Sequence, residues 1–164
     1  MNIVEARERF EREAETTRRF LERLPDSKLT WRPHPKSFTA GGLAGHLVEC
    51  IGWAESIFMA DEFAFDPATY RPIEATSVSH LLEVFDAKVA AGRKAMAAAS
   101  DGDLARPWRM TVRGKVHFER SKAAVFGDFT IDHVIHHRGQ LSVYLRLLEV
   151  AVPGAYGPSA DESG

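Results

Sequence analysis

A chain of 164 residues, 45% of them apolar and 27% charged, is long enough for one sizeable core and too short for two ordinary domains, so residues 1–164 are expected to form a single domain. Its 21 basic and 23 acidic residues leave a formal net charge of -2 with no basic block, and the electrostatic footprint of a nucleic-acid binder is missing. No apolar run approaches the roughly 20 residues needed to cross a bilayer, and the single cysteine, Cys50, rules out an intramolecular disulfide; a soluble, unexported protein of the reducing cytoplasm is the expectation.

In chain order, Ile3, Ala6, Phe10, Ala14, Thr17, Leu21 and Leu24 recur every three or four residues between charged ones, which predicts a first helix ending before Pro25. A loop with Trp31, Pro33 and Pro35 leads to Thr39 as N-cap of a second helix, from about Ala40 to Asp61. At roughly 100° per residue, Leu43, His46, Cys50, Trp53 and Ile57 share one face of it, which turns His46 inward. Residues 62 to 76, with Pro67 and Pro72, read as a long connection. Ser77 or Ser79 then caps a third helix to about Ala99, with Leu82, Phe85, Val89 and Met96 as its apolar face. Met110 to Val112, Arg113-Gly114 and Val116 to Phe118 fit a small hairpin, and the last helix is expected from about Ser121 to Val150. Four amphipathic helices covering one another's apolar faces predict an all-α fold, a four-helix bundle, with connections long enough to leave a pocket at one end.

The last helix carries most of the chemistry. Phe126, Phe129, His137, Gln140 and Tyr144 lie within about 40° of His133 on the wheel, so its inward stripe holds two histidines and a glutamine. Buried imidazoles need partners: they coordinate a metal, hydrogen-bond across the bundle, or cost stability. His133 and His136 at i, i+3 form the competing pair, but His133 and His137 stay centred on the stripe. With His46 from another helix they make the minimum equipment of a facial metal site.

The run His133-Val134-Ile135-His136-His137-Arg138-Gly139-Gln140, with Gly42-Leu43-Ala44-Gly45-His46 upstream, resembles the DinB superfamily, a group similar in fold to the YfiT-like metal-dependent hydrolases. The resemblance extends to Trp31-Arg32-Pro33 and to Tyr156-Gly157-Pro158-Ser159-Ala160-Asp161-Glu162. It implies a four-helix bundle, a divalent metal held by His46, His133 and His137, and a homodimer. It also implies a chemistry drawn from thiol S-transferases that use low-molecular-weight thiols such as bacillithiol, or from hydrolases. A divalent ion on three neutral imidazoles keeps open positions and its full charge, and so lowers the pKa of a thiol or a water. Zn and Ni suit the ligand set, although imidazole serves Cu and Fe as well.

Around these ligands, His136 reads as a neighbour supporting the site and Gln140 as a residue in reach of a bound ligand. Trp53 and Tyr144 read as pocket wall or core. Glu49 and Asp132 are the acids placed to accept from a ligating imidazole, and Arg138 points away as a structural residue seeking an acidic partner. His34, His80 and His117 are surface positions. Cys50, one turn after His46, is a fourth soft ligand, a redox-sensitive thiol or a small buried hydrophobe, the last being the simplest. Three function classes stand: a metal-dependent thiol transferase or hydrolase acting on a small molecule, a ligand-binding bundle with haem between histidines, and a structural protein fastened by a metal. Paired Glu-x-x-His motifs are absent, which disfavours a carboxylate-bridged di-iron bundle.

Overall fold

Helix α1 (Ile3–Leu21) opens on a capping box in a computed structural model that describes residues 1–162. The Asn2 side chain accepts from the Glu5 N–H while the Glu5 carboxylate accepts from the Asn2 N–H. Its inward stripe of Ala6, Phe10, Ala14, Thr17 and Leu21 is buried, as the periodicity predicts. The helix stops three residues short of Leu24 because Pro25 disfavours helical backbone before it, and Asp26–Lys28 follows as a 3-10 turn.

Helix α2 (Ala40–Met59) begins where the Thr39 hydroxyl accepts from the Gly42 N–H. After it the chain turns extended and forms strand β1 (Glu62–Phe65), which corrects the expectation of a bare connection. Helix α3 (Val78–Ala97) is capped by Ser77, and its buried stripe runs Leu81, Phe85, Val89, Gly92 and Met96. Leu81 therefore takes the core position expected of Leu82, which is only half-buried. Gly92 has a packing reason: a Cβ there would stand 2.7 Å from the Phe10 ring, so the absent side chain lets α1 and α3 close on each other.

A short helix α4 (Asp101–Ala105) leads into strands β2 (Pro107–Val112) and β3 (Lys115–Ser121). Their turn has φ of 50° at Arg113 and 74° at Gly114, the pair of positive values that a two-residue hairpin favours. The hairpin is present and longer than expected, and β1 adds to it in parallel, Phe63 opposite Met110, giving a three-stranded sheet in the order β1-β2-β3. The fold is thus mostly helical with a small sheet rather than all-α. The sheet sends Trp108 into the core, where it meets Trp53 and Phe118.

The last helical stretch consists of α5 (Lys122–Val125), a π-helical segment Phe126–Asp132, and α6 (His133–Leu147). It ends before the expected Val150, at a Schellman arrangement in which Glu149 occupies φ 57° and the Val150 N–H reaches the Leu145 carbonyl. Arg138, 2% exposed, pairs at 2.7 Å with Glu13, 1% exposed, and also donates to the Thr17 hydroxyl and the Tyr156 phenol. This is the acidic partner expected of Arg138, and it ties α6 to α1. Among the described residues no helix is long and apolar enough to cross a membrane.

Candidate metal centre

Where α2 faces α6, three imidazoles gather. Ring centroids are 5.1 Å apart for His46 and His133, 4.7 Å for His46 and His137, and 4.7 Å for His133 and His137. The i, i+4 spacing on α6 stacks two rings on one side of the helix, and α2 supplies the third. His133 is the first residue after the π-helical segment, whose wider turn changes the bearing of everything before it. Phe126 consequently packs into the core against Phe10 and Phe58, whereas Phe129 faces a cavity beside Trp53.

Each of the three rings has one nitrogen tied to an acceptor. His46 Nδ1 lies 2.9 Å from Glu49 Oε2, His137 Nδ1 lies 2.8 Å from Gln140 Oε1, and the His133 ring donates to the Phe129 carbonyl. An ionised carboxylate, an amide oxygen and a backbone carbonyl only accept, so each tied nitrogen carries a hydrogen and the other is the one available to a metal. Gln140 also reaches back: its Nε2 donates to His136 Nε2 at 3.1 Å.

Glu49 is itself held. Its Oε2 accepts from the Tyr70 hydroxyl at 2.8 Å and its Oε1 from the Ile73 N–H at 2.9 Å. Gly45 makes this possible, because a Cβ there would stand 2.2 Å from the Ile73 carbonyl oxygen; only glycine lets the segment after β1 lie across α2. Burial raises the Glu49 carboxyl, but the bonds from His46, Ile73 and Tyr70 outweigh it and hold the group below its ordinary value. Burial and the Glu49 charge push the Tyr70 phenol up to about 12, which keeps its proton on the oxygen as a donor. Burial also lowers His133 and His137, with neighbouring imidazoles adding to the effect, so both rings favour the neutral form that binds metals.

Cys50 sits nearer than a plain core residue need be. Its sulfur and donor atoms of His46 and His133 all lie within 4.8 Å of one another. The side chain is fully buried, and burial with the Glu49 charge pushes its thiol up to about 12.

Of the other expected residues, His136 is exposed and its ring lies 4.8 Å from that of His137. Tyr144 packs edge-on against Trp31 and donates to the Phe38 carbonyl, anchoring the loop before α2 rather than touching the histidines. Asp132 is exposed and pairs with Arg9, leaving Glu49 as the acid at the site. His34, His80 and His117 are all exposed. Phe38, Tyr70 and Ile73 escape sequence reasoning: Phe38 stacks on the His46 ring at 5.8 Å, and none of the three carries a local signal of its role.

Two cavities meet at His46 and Glu49. One of about 620 Å³ is walled by Trp53, Phe63, Phe65, Met110 and Phe129 and reaches His133; another of about 520 Å³ lies under Phe38 and Ala75. The closeness of His46 and His137 does not suit a haem between them. Axial imidazoles meet the iron through one nitrogen each from opposite faces of the macrocycle, whereas these two rings stand 4.7 Å apart by centroid with the third imidazole beside them.

Residues 9–141 match the DinB superfamily, and the chain belongs to that family. The uncharacterized protein YrdA of Bacillus subtilis (strain 168) is 29% identical over 157 residues, spanning 93% of this chain and 87% of its own. The crystal structure of a DinB-like protein from Bacillus cereus ATCC 10987 has a TM-score of 0.75 at 24% identity, covering 94% of this chain and 98% of that one. A second DinB-like crystal structure, YjoA from Bacillus subtilis, has a TM-score of 0.72 at 16% identity, covering 94% and 99%. These two likenesses concern the fold.

Proposed function

We propose that the chain is a single-domain metal-dependent enzyme of the DinB type, in which His46, His133 and His137 hold one divalent ion, Zn or Ni, and which transfers a low-molecular-weight thiol of the bacillithiol kind to a small electrophile. The observation that carries this reading is the cluster of three imidazoles, each with one nitrogen turned to Glu49, Phe129 or Gln140 and the other free of a protein acceptor. Ligating histidines characteristically donate their second nitrogen in this way. Cys50 stands outside the set because the DinB pattern does not call for a cysteine there and a sulfur ligand would fill the open position that the chemistry needs.

Bound there, the ion supplies a positive charge that lowers the pKa of an incoming thiol and orients its sulfur. The chain's own residues do the rest. Glu49, fixed by Tyr70 and Ile73, keeps the His46 hydrogen on Nδ1; Gln140 does the same for His137. The aromatic wall of the larger cavity keeps water from an apolar electrophile held beside the histidines. Tyr70 keeps its own proton and so acts as a brace rather than a base. Exposed Val143 and Leu147 on α6 support association of two copies through that helix, as the family suggests.

The test is conjugation of monochlorobimane with bacillithiol or cysteine, comparing zinc-loaded wild type with His46→Ala. Thiol-dependent turnover lost in the variant is the expected result. Thiol-independent cleavage of nitrophenyl esters would move the assignment to a hydrolase, and turnover undiminished in the variant would remove it.

A further inference from the structure

The larger cavity differs from a plain hydrophobic hollow in that Lys88 of α3 and Arg71 of the loop after β1 join the lining. Its volume of about 620 Å³ suits a small molecule. Among the described residues Glu49 is the only carboxylate on its wall, and three donors already occupy it. Two cations against one carboxylate, itself engaged by three donors, leave the lining of an aromatic chamber with an excess of positive charge.

Both cations are placed by the fold. The Lys88 stem crosses α2 at Gly52, where a Cβ would stand 3.0 Å from Lys88 Cδ, so the missing side chain lets the ammonium reach the cavity. Glu55 and Glu83 line a smaller cavity that Lys88 also borders, and neither forms an ion pair with it among the described residues. Arg71 is held through Nη1 by the carbonyls of Ala68 and Tyr70, at 3.1 and 2.8 Å, while its Nε and Nη2 have no partner among the described residues. A guanidinium fixed at one edge with its remaining donors open is organised in advance for an oxyanion.

We propose that this cavity takes a small organic anion whose aromatic or branched apolar body lies on Trp53, Phe63 and Phe129 and whose carboxylate or sulfonate meets Arg71 and Lys88. The proposal names the ligand class of the site described above, and it rests on that reading only for the end of the ligand that approaches the histidines. A cationic analogue is repelled by both, and a neutral one leaves both donors to water.

Two fluorescent probes of nearly equal shape separate charge from apolar contact: 8-anilino-1-naphthalenesulfonate and the uncharged N-phenyl-1-naphthylamine. Each is titrated into the full chain, zinc-loaded and zinc-stripped, as wild type, Arg71→Gln, Lys88→Gln and the cavity-filling Ser56→Trp. Each charge-removing variant is expected to weaken the sulfonate by roughly three- to tenfold, a partly exposed charge-assisted contact, and to leave the neutral probe within about twofold. Ser56→Trp is expected to weaken both. Unaltered sulfonate binding in both Arg71→Gln and Lys88→Gln, or equal loss of the two probes, overturns the proposal. Charge discrimination that persists in a protein unable to retain zinc leaves the proposal standing and removes the metal assignment alone.

Discussion

Glu49 Oε2 accepts the hydrogen on His46 Nδ1 at 2.9 Å, and the same oxygen accepts from Tyr70 at 2.8 Å, so one carboxylate orients an imidazole while the segment after β1 orients the carboxylate. Glu49→Gln keeps the shape and loses the charge. Zinc affinity, measured by competition with a chromophoric chelator, is expected to fall about 10- to 100-fold with the helical circular dichroism unchanged. An unaltered affinity would show that Glu49 does not support the site.

Gly45 and Gly139 make a matched pair of glycine substitutions on the two helices of the site. Gly45→Ala drives a Cβ to 2.2 Å from the Ile73 carbonyl, and is expected to cost about 1–3 kcal/mol in urea unfolding and to weaken zinc binding by displacing the brace on Glu49. Gly139→Ala meets nothing within 4 Å in the middle of α6 and is expected to stabilise by up to about 1 kcal/mol.

Arg138 and Glu13, exposed by 2% and 1%, predict a large penalty for splitting the pair. Arg138→Met alone is expected to destabilise by about 3–5 kcal/mol, because it leaves a buried carboxylate without its cation. Glu13→Gln combined with Arg138→Met is expected to recover much of that loss in the same denaturation assay.

Acid sensitivity follows from His133 and His137, whose folded pKa values lie below the ordinary 6.5 through burial and neighbouring imidazoles. Well above pH 6.5 both rings are neutral in either state, and their contribution is fully present. As pH falls below 6.5 the unfolded chain takes up protons that the folded rings resist, so stability is lost until the folded pKa values are passed. Urea midpoints of the metal-free protein between pH 8 and 5 are expected to drop in that window, and His133→Asn with His137→Asn to flatten the drop.

The helices and the gathering of the histidines are legible in the chain where local pattern carries them. The spacing of Phe10, Ala14, Thr17 and Leu21 specifies α1, and the wheel puts His133 and His137 together on α6. Strand β1 was hidden because it is four residues long, half exposed, and paired with residues 47 positions away in the chain. The π-helical segment leaves no mark in a wheel drawn at one fixed angle, so Phe126 and Phe129 were placed together although they part. The Glu49 brace depends on Tyr70 and Ile73 arriving across Gly45, a contact made by tertiary folding that no local periodicity encodes.

The central claim, a divalent ion on His46, His133 and His137, is tested most directly by elemental analysis of untagged protein purified without chelating resin, beside His137→Ala and Cys50→Ser. About one equivalent of Zn or Ni in the wild type and in Cys50→Ser, with none in His137→Ala, is the predicted result. Metal retained by His137→Ala and lost from Cys50→Ser would contradict it and place the ion on His46, Cys50 and His133 instead.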